Sequence, residues 1–61
     1  MTKQEQRAYE NGRRIAEHVI GRIGQVGAAT RGSLAHVRYT RDALREAYDR
    51  GYWDVLLGVQ G

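Results

Sequence analysis

Apolar residues recur at helical spacing along the first part of the chain. Thr2 and Glu5 have the spacing of a capping box, in which each side chain binds the other residue's backbone N–H group. After them, small and apolar residues fall on one narrow stripe at about 100° per residue, formed by Ala8, Gly12, Ile15, Val19, Ile23 and Val26. The pattern predicts a first helix over about residues 3–20, and the stripe itself continues past Gly21.

A second apolar stripe predicts another helix, over about residues 40–57. Thr40 supplies an N-cap hydroxyl, and Asp42 places a carboxylate in the first turn, where the helix dipole favours it. The stripe that follows consists of Leu44, Tyr48, Gly51, Tyr52, Val55 and Val59. An alternative ends this helix at Gly51 and continues residues 52–59 as a β-strand, because tyrosine, tryptophan and valine favour strands.

The linker between the two predicted helices is rich in glycine and leaves three alternatives open. Residues 25–39 are compatible with a loop, with a β-hairpin that turns at residues 30–33, or with an early start of the second helix capped by Ser33. A structureless loop of this length is uncommon in a compact domain. The predicted fold is therefore mainly α: a small helical hairpin in a single domain over residues 1–61, whose basic linker has room for a short β-hairpin.

One short pattern occurs twice. The motif Ala-Tyr-x-x-Gly is found at residues 8–12 and again at residues 47–51. In each copy the glycine follows the tyrosine by one helical turn and belongs to the apolar stripe. A glycine at such a position lets another backbone approach closely, because it has no Cβ. The repeat predicts that the two helices pack against each other at Gly12 and Gly51.

Cationic charge is concentrated in the middle of the chain. No acidic residue occurs between Glu17 and Asp42, and the formal net charge of the chain is +3. Arginine binds phosphate through parallel hydrogen bonds, and tyrosine stacks on unpaired bases. This segment is therefore a candidate contact with RNA or DNA, through Arg22, Arg31, Arg38, Tyr39 and Arg41. The alternative is a solvated surface or a contact with protein.

The C-terminal part contains the one tryptophan of the chain. On a continuous helix Trp53 points away from Leu44, so one apolar face packs on the first helix and the other is left for a second chain. Tryptophan is enriched at binding hot spots. We therefore predict a partner interface for self-association, or for docking on a larger protein assembly, formed by Tyr52, Trp53, Leu56 and Leu57. The alternative buries Trp53 inside the protomer.

Motifs for catalysis or ligand binding are weak. The glycines at positions 21, 24 and 27 follow neither the dinucleotide-binding nor the phosphate-loop spacing. His18 and His36 lack the spacing of a metal site, and the chain has no cysteine. Ser33 lies near His36 in sequence, but no third group is placed to orient the imidazole. We predict no catalytic residue, no cofactor and no metal.

Size and composition indicate a protein that works by binding. A chain of 61 residues seldom forms a highly stable core alone. The N-terminus resembles no signal peptide and no apolar run is long enough to cross a membrane, so we expect a cytoplasmic protein without membrane contact. The prediction is a small non-catalytic accessory protein, such as a phage or mobile-element regulator, inhibitor or assembly component, that docks on a protein partner or on itself. The alternative is a factor that binds RNA, DNA or a ribonucleoprotein through the basic middle segment.

Overall fold

The described part of the chain folds into three α-helices. A computed structural model describes residues 2–58, so the predicted place of Val59 on the second stripe lies outside the described residues. The helices are α1 (Lys3–Arg31), α2 (Ala35–Arg38) and α3 (Asp42–Leu56). The mainly helical prediction is confirmed, although α1 is longer than expected. Because α3 continues beyond Gly51, the alternative of a strand is wrong as far as Leu56.

The N-terminus of α1 has the predicted capping box. The Thr2 side-chain oxygen accepts a hydrogen bond from the Glu5 N–H at 3.2 Å, and the Thr2 N–H donates to the Glu5 carboxylate at 2.9 Å. Together they satisfy backbone donors that have no partner within the helix. The hydrogen bonds to Thr2 also hold the pKa of the Glu5 carboxyl below its usual value, because they stabilise the charged form.

Gly24 divides α1 into two parts. Its torsions, φ 82° and ψ 171°, are not helical and belong to a region that essentially only glycine adopts. Residues 25–31 form a further helical segment after this kink and contact α3. There the Tyr52 hydroxyl donates a hydrogen bond to the carbonyl oxygen of Ala28 at 2.6 Å, and Ala28 is fully buried. The last part of α1 therefore packs on the same helix as its first part.

The predicted linker is largely helical, and no β-hairpin is present within residues 25–39. Residues 25–31 belong to α1, and Ala35–Arg38 form α2. Gly32, in the predicted hairpin turn, ends α1 instead: its φ is 76°, and its N–H donates to the carbonyl oxygen of Ala28 at 3.0 Å. Glycine with a positive φ is a common helix stop. The prediction of a hairpin turn at residues 30–33 is therefore wrong, because Thr30 and Arg31 are helical and Gly32 caps the end of a helix.

α3 runs in the same direction as the first part of α1, before Gly24, so these two helices do not form the predicted helical hairpin. At their beginnings, the Arg41 guanidinium donates to the side-chain oxygen of Gln4 at 3.0 Å. Near their other ends, Val19 of α1 and Leu56 of α3 share one cluster of buried side chains. The segment between Gly24 and Arg41 returns the chain to the start of α1. A short direct turn between the helices would have given an antiparallel pair.

α1 and α3 cross with their backbones in contact at Gly12 and Gly51. A Cβ added to Gly12 would lie 2.9 Å from the carbonyl carbon of Tyr48, and one added to Gly51 would lie 2.9 Å from the carbonyl carbon of Tyr9. Both would overlap the carbonyl oxygens as well. The two copies of the repeated motif therefore make reciprocal contacts, each glycine against the tyrosine carbonyl of the other copy.

Tyrosine and alanine side chains make up most of the core. Tyr48 and Tyr52 are the largest fully buried side chains, and burial raises the pKa of both hydroxyls above the usual value. The other buried apolar residues are Ala8, Ala16, Val19, Ala28, Ala35, Ala47 and Leu56. Because most of these are small, the two large rings fit between closely spaced helices. Within residues 2–58, Val19 and Leu56 are the only large aliphatic residues of this buried core.

Candidate docking surface

Two of the four residues predicted to form a partner interface lie in the core. Tyr52 and Leu56 are 0% and 4% exposed, so neither offers a surface to another molecule. The end of α1 covers this side of α3, which the sequence pattern leaves open for a second chain. Trp53 is half-buried against the same cluster, with its ring centroid 5.8 Å from that of Tyr52. Leu57 remains exposed.

Three of the predicted nucleic-acid contacts, Arg22, Arg31 and Arg38, border one groove beside α1. The groove consists of two adjoining depressions of about 320 Å³ and about 390 Å³, which share His18, Val19 and Arg31 in their walls. We call the surface formed by these two depressions the basic groove. Its walls are formed by Ile15, His18, Val19, Arg22, Ile23, Arg31, Ser33, Leu34, Val37, Arg38 and Tyr48.

The other two predicted contacts are placed differently. Arg41 lies at the start of α3, where its guanidinium binds Gln4. Tyr39 has its ring centroid 5.3 Å from that of Tyr48, and its hydroxyl accepts a hydrogen bond from the Asn11 amide at 3.2 Å. Since one side of the Tyr39 ring and its hydroxyl are already engaged, this residue is poorly placed to stack on a base.

Aliphatic side chains are exposed within the basic groove. Ile23, Leu34 and Val37 are 53%, 40% and 75% exposed. Covering apolar surface contributes about 25 cal/mol per Å². The groove therefore combines cationic groups with aliphatic groups, and covering the aliphatic groups with another molecule would stabilise the complex.

The exposed Leu34 is held in a strained backbone conformation. Its φ of 57° and ψ of 36° are left-handed, which costs about 1–2 kcal/mol for a residue with a Cβ. The adjacent Ser33 is buried, and its hydroxyl donates to the carboxylate of Asp49 on α3. This hydrogen bond anchors the turn that carries Leu34. Backbone strain of this kind persists only where the surrounding structure holds it in place, and it clusters at binding sites.

The charge of the basic groove is not neutralised from within. None of the described residues in its walls is acidic. Within residues 2–58 the only ion pair joins Arg45 to Asp42, which are not wall residues. Arg38 is positioned by an aromatic ring instead, with its guanidinium carbon 5.7 Å from the Tyr48 ring centroid. The exposed Arg22 and Arg38 are thus available to an external anion, and Arg31 is exposed as well although it also lies beside the Tyr52 hydroxyl.

The two histidines lie in different depressions. His18 is in the wall of the basic groove, while His36 lines a third depression that adjoins the groove at Arg31, Ser33 and Leu34. The carboxylates of Glu46 and Asp49 lie in that third depression, outside the walls of the basic groove. Among residues 2–58, no three histidine, aspartate or glutamate side chains are grouped in a way that suits a metal ion. In the same part of the chain, no helix has both the length and the apolar character to span a bilayer.

Helical periodicity alone does not reveal the aliphatic part of the basic groove. Helical periodicity places Ile23 on the core stripe of α1, because the periodicity does not show that the helix breaks at Gly24. The available signal is local: Leu34 and Val37 lie between Arg31 and Arg38 in a segment without acidic residues. Comparisons with protein-family models, curated proteins and solved structures gave no match for this chain. The chemistry of the groove is therefore the guide to function.

Proposed function

We propose that this protein is a small non-catalytic accessory protein that docks on a protein partner through the basic groove. The observation that carries the proposal is the exposure of Ile23, Leu34 and Val37 among arginines that pair with no carboxylate within residues 2–58. Covering the aliphatic side chains supplies affinity, and pairing the arginines supplies orientation and specificity. Protein interfaces commonly combine an apolar centre with arginine contacts.

The geometry supports binding rather than catalysis. The backbone has principal-axis extents of 30 × 24 × 14 Å, so the fold has little depth in which to exclude water from reacting groups. Ser33 is the buried hydroxyl nearest to a histidine in sequence, but it donates directly to Asp49. In a serine nucleophile that proton passes to a base such as histidine. The hydroxyl of Ser33 is used for structure instead.

Binding to RNA or DNA is the second candidate function. The convergence of Arg22, Arg31 and Arg38 at one groove favours it, because each guanidinium can bind phosphate. Phosphate contacts make no use of the exposed aliphatic groups, however, and Tyr39 is already packed against Tyr48. A protein partner uses both the charged and the apolar parts of the surface.

The test compares two exposed valines, one inside the groove and one outside. Val37 is 75% exposed in the groove wall, whereas Val26 is 81% exposed on the last part of α1 and lines neither depression. The tagged full chain, Val37→Asn and Val26→Asn are used to capture proteins from a lysate of the source organism, and the captured proteins are quantified by mass spectrometry. We expect a specific partner whose capture falls about tenfold with Val37→Asn and is unchanged with Val26→Asn, as for an apolar contact worth about 1.4 kcal/mol.

Circular dichroism of both variants verifies that the helices are retained. A partner captured equally by the two variants would contradict docking through the basic groove. Capture that disappears after nuclease treatment would favour the nucleic-acid candidate instead, since the protein would then have been bridged by RNA or DNA.

A further inference from the structure

We infer that the segment bound in the basic groove is an acidic amphipathic helix of a protein partner. Its apolar stripe covers the exposed aliphatic side chains, which are Ile23, Leu34 and Val37. Its carboxylates pair with the arginines of the groove, which are Arg22, Arg31 and Arg38. This inference rests on the proposed function and specifies the chemistry of the partner.

Charge complementarity favours an acidic segment. The described walls of the groove contain arginines and a histidine but no carboxylate. A neutral or basic segment would cover the guanidinium groups of Arg31 and Arg38 without replacing their hydration, and leaving a charged group desolvated and unpaired is costly. A glutamate or aspartate accepts from a guanidinium through two parallel hydrogen bonds and removes that cost.

The shape of the surface favours a helix over an extended segment. An extended peptide usually binds by adding a strand to a sheet edge, and residues 2–58 contain no strand that could receive it. A helix satisfies its own backbone hydrogen bonds and needs only side-chain contacts. On α1 the groove extends from Ile15 to Ile23, which corresponds to about 12 Å at the rise of an α-helix. A partner helix of three or four turns is therefore long enough to fill it.

A second copy of this chain fits the groove poorly. Two basic grooves facing each other would place like charges together, which opposes association. Nucleic acid satisfies the arginines but leaves the exposed Val37 and Ile23 against a polar backbone. An acidic amphipathic helix is the occupant that matches both halves of the surface.

The test uses synthetic helical probes and the full chain. The probe is a fluorescent peptide of about 14 residues with leucines at i, i+3, i+4 and i+7 and glutamates on the other face. One control peptide has the same composition with the leucines distributed around the helix, and another has lysine in place of glutamate. A single-stranded RNA of similar charge serves as the nucleic-acid probe. Fluorescence anisotropy measures each dissociation constant at about 50 mM and about 300 mM salt.

Two matched double variants remove the same charge from different places. Arg22→Gln combined with Arg38→Gln changes the groove, while Arg7→Gln combined with Arg14→Gln changes exposed arginines of α1 that line neither depression. We expect the groove variant to weaken binding of the acidic amphipathic probe at least about tenfold, and the control variant to weaken it less than about threefold. The lysine peptide should not bind, and the redistributed peptide should bind at least about tenfold more weakly than the probe.

Four outcomes would overturn the inference. The redistributed peptide could bind as tightly as the probe, the two double variants could weaken binding equally, or the RNA could bind more tightly than the probe. The absence of binding at high peptide concentration would also overturn it. These failures are separable from failure of the proposed function, because a lysate partner sensitive to Val37→Asn would still show that the groove docks a protein of different chemistry.

Discussion

At the scale of single residues, the fold depends on two glycines that contact the opposite helix through their backbones. Gly12 lies against the carbonyl group of Tyr48, and Gly51 lies against that of Tyr9. The hydrogen atom in place of each Cβ points towards a carbonyl oxygen, an arrangement typical of weak Cα–H···O contacts at helix crossings. Gly21, also on α1, has no neighbouring atom within 4 Å of an added Cβ. Gly12 and Gly51 therefore share one role at the helix crossing, which Gly21 lacks although it also lies within a helix.

We expect Gly12→Ala and Gly51→Ala to lower the free energy of unfolding by about 1–3 kcal/mol each, because the added methyl group forces the helices apart. Gly21→Ala is the matched control. It should raise the free energy of unfolding by up to about 1 kcal/mol, the helix-propensity difference between alanine and glycine. Urea unfolding followed by circular dichroism measures all three. Equal effects at positions 12 and 21 would show that the backbones are not in contact.

At the scale of elements, the apolar pattern predicts one continuous stripe along α1, but Gly24 divides this helix into two segments that both pack on α3. Residues 25–31 contact α3 after the break at Gly24, and the Gln25 amide donates a hydrogen bond to the carbonyl oxygen of Leu56. This contact satisfies an acceptor at the C-terminus of α3 that no residue of the same helix can reach. The break therefore stabilises a second element as well as redirecting the chain.

We expect an L-alanine at Gly24 to destabilise the protein and a D-alanine to be tolerated. The torsions of Gly24 are disfavoured for L-residues, so Gly24→Ala should cost about 1–3 kcal/mol. The mirror image of these torsions is extended backbone, which suits a D-residue, and a chain of 61 residues is within reach of chemical synthesis. Denaturant unfolding of the two synthetic chains provides the measurement. Greater stability of the L-alanine chain would mean that α1 continues without a break.

Local signals predict the beginnings of helices better than their arrangement. The capping box at Thr2 follows from short-range hydrogen bonding, and the repeated motif predicts the glycines that the structure brings together at the crossing. The predicted cap at Thr40 is wrong, because Arg41 is the N-cap residue of α3 and makes no side-chain capping hydrogen bond. The direction of α3 relative to α1 depends on the torsions of Gly24 and on the helical return segment, which no periodicity encodes. The basic groove depends on that arrangement, so its arginines could be named from sequence, whereas the exposure of their aliphatic neighbours could not be predicted.

At the scale of the whole molecule, the core is so small that half-buried residues also contribute to the free energy of unfolding. Trp53 packs against the cluster of Val19, Tyr52 and Leu56, so part of its surface already contributes to the stability of the protomer. Self-association through Trp53 would use only the remaining exposed part. The two roles predict different consequences of removing the side chain.

We expect Trp53→Ala to lower the free energy of unfolding by about 1–3 kcal/mol, less than the 3–5 kcal/mol typical of a fully buried tryptophan. Leu57→Ala is the control, because Leu57 is 72% exposed at the end of the same helix. It should change the free energy of unfolding by no more than about 0.5 kcal/mol. Urea unfolding measures stability, and light scattering measures molar mass at the same concentrations. If Trp53→Ala left the unfolding free energy unchanged while abolishing a dimer present in the wild type, Trp53 would be an interface anchor and its contacts within the protomer would be incidental.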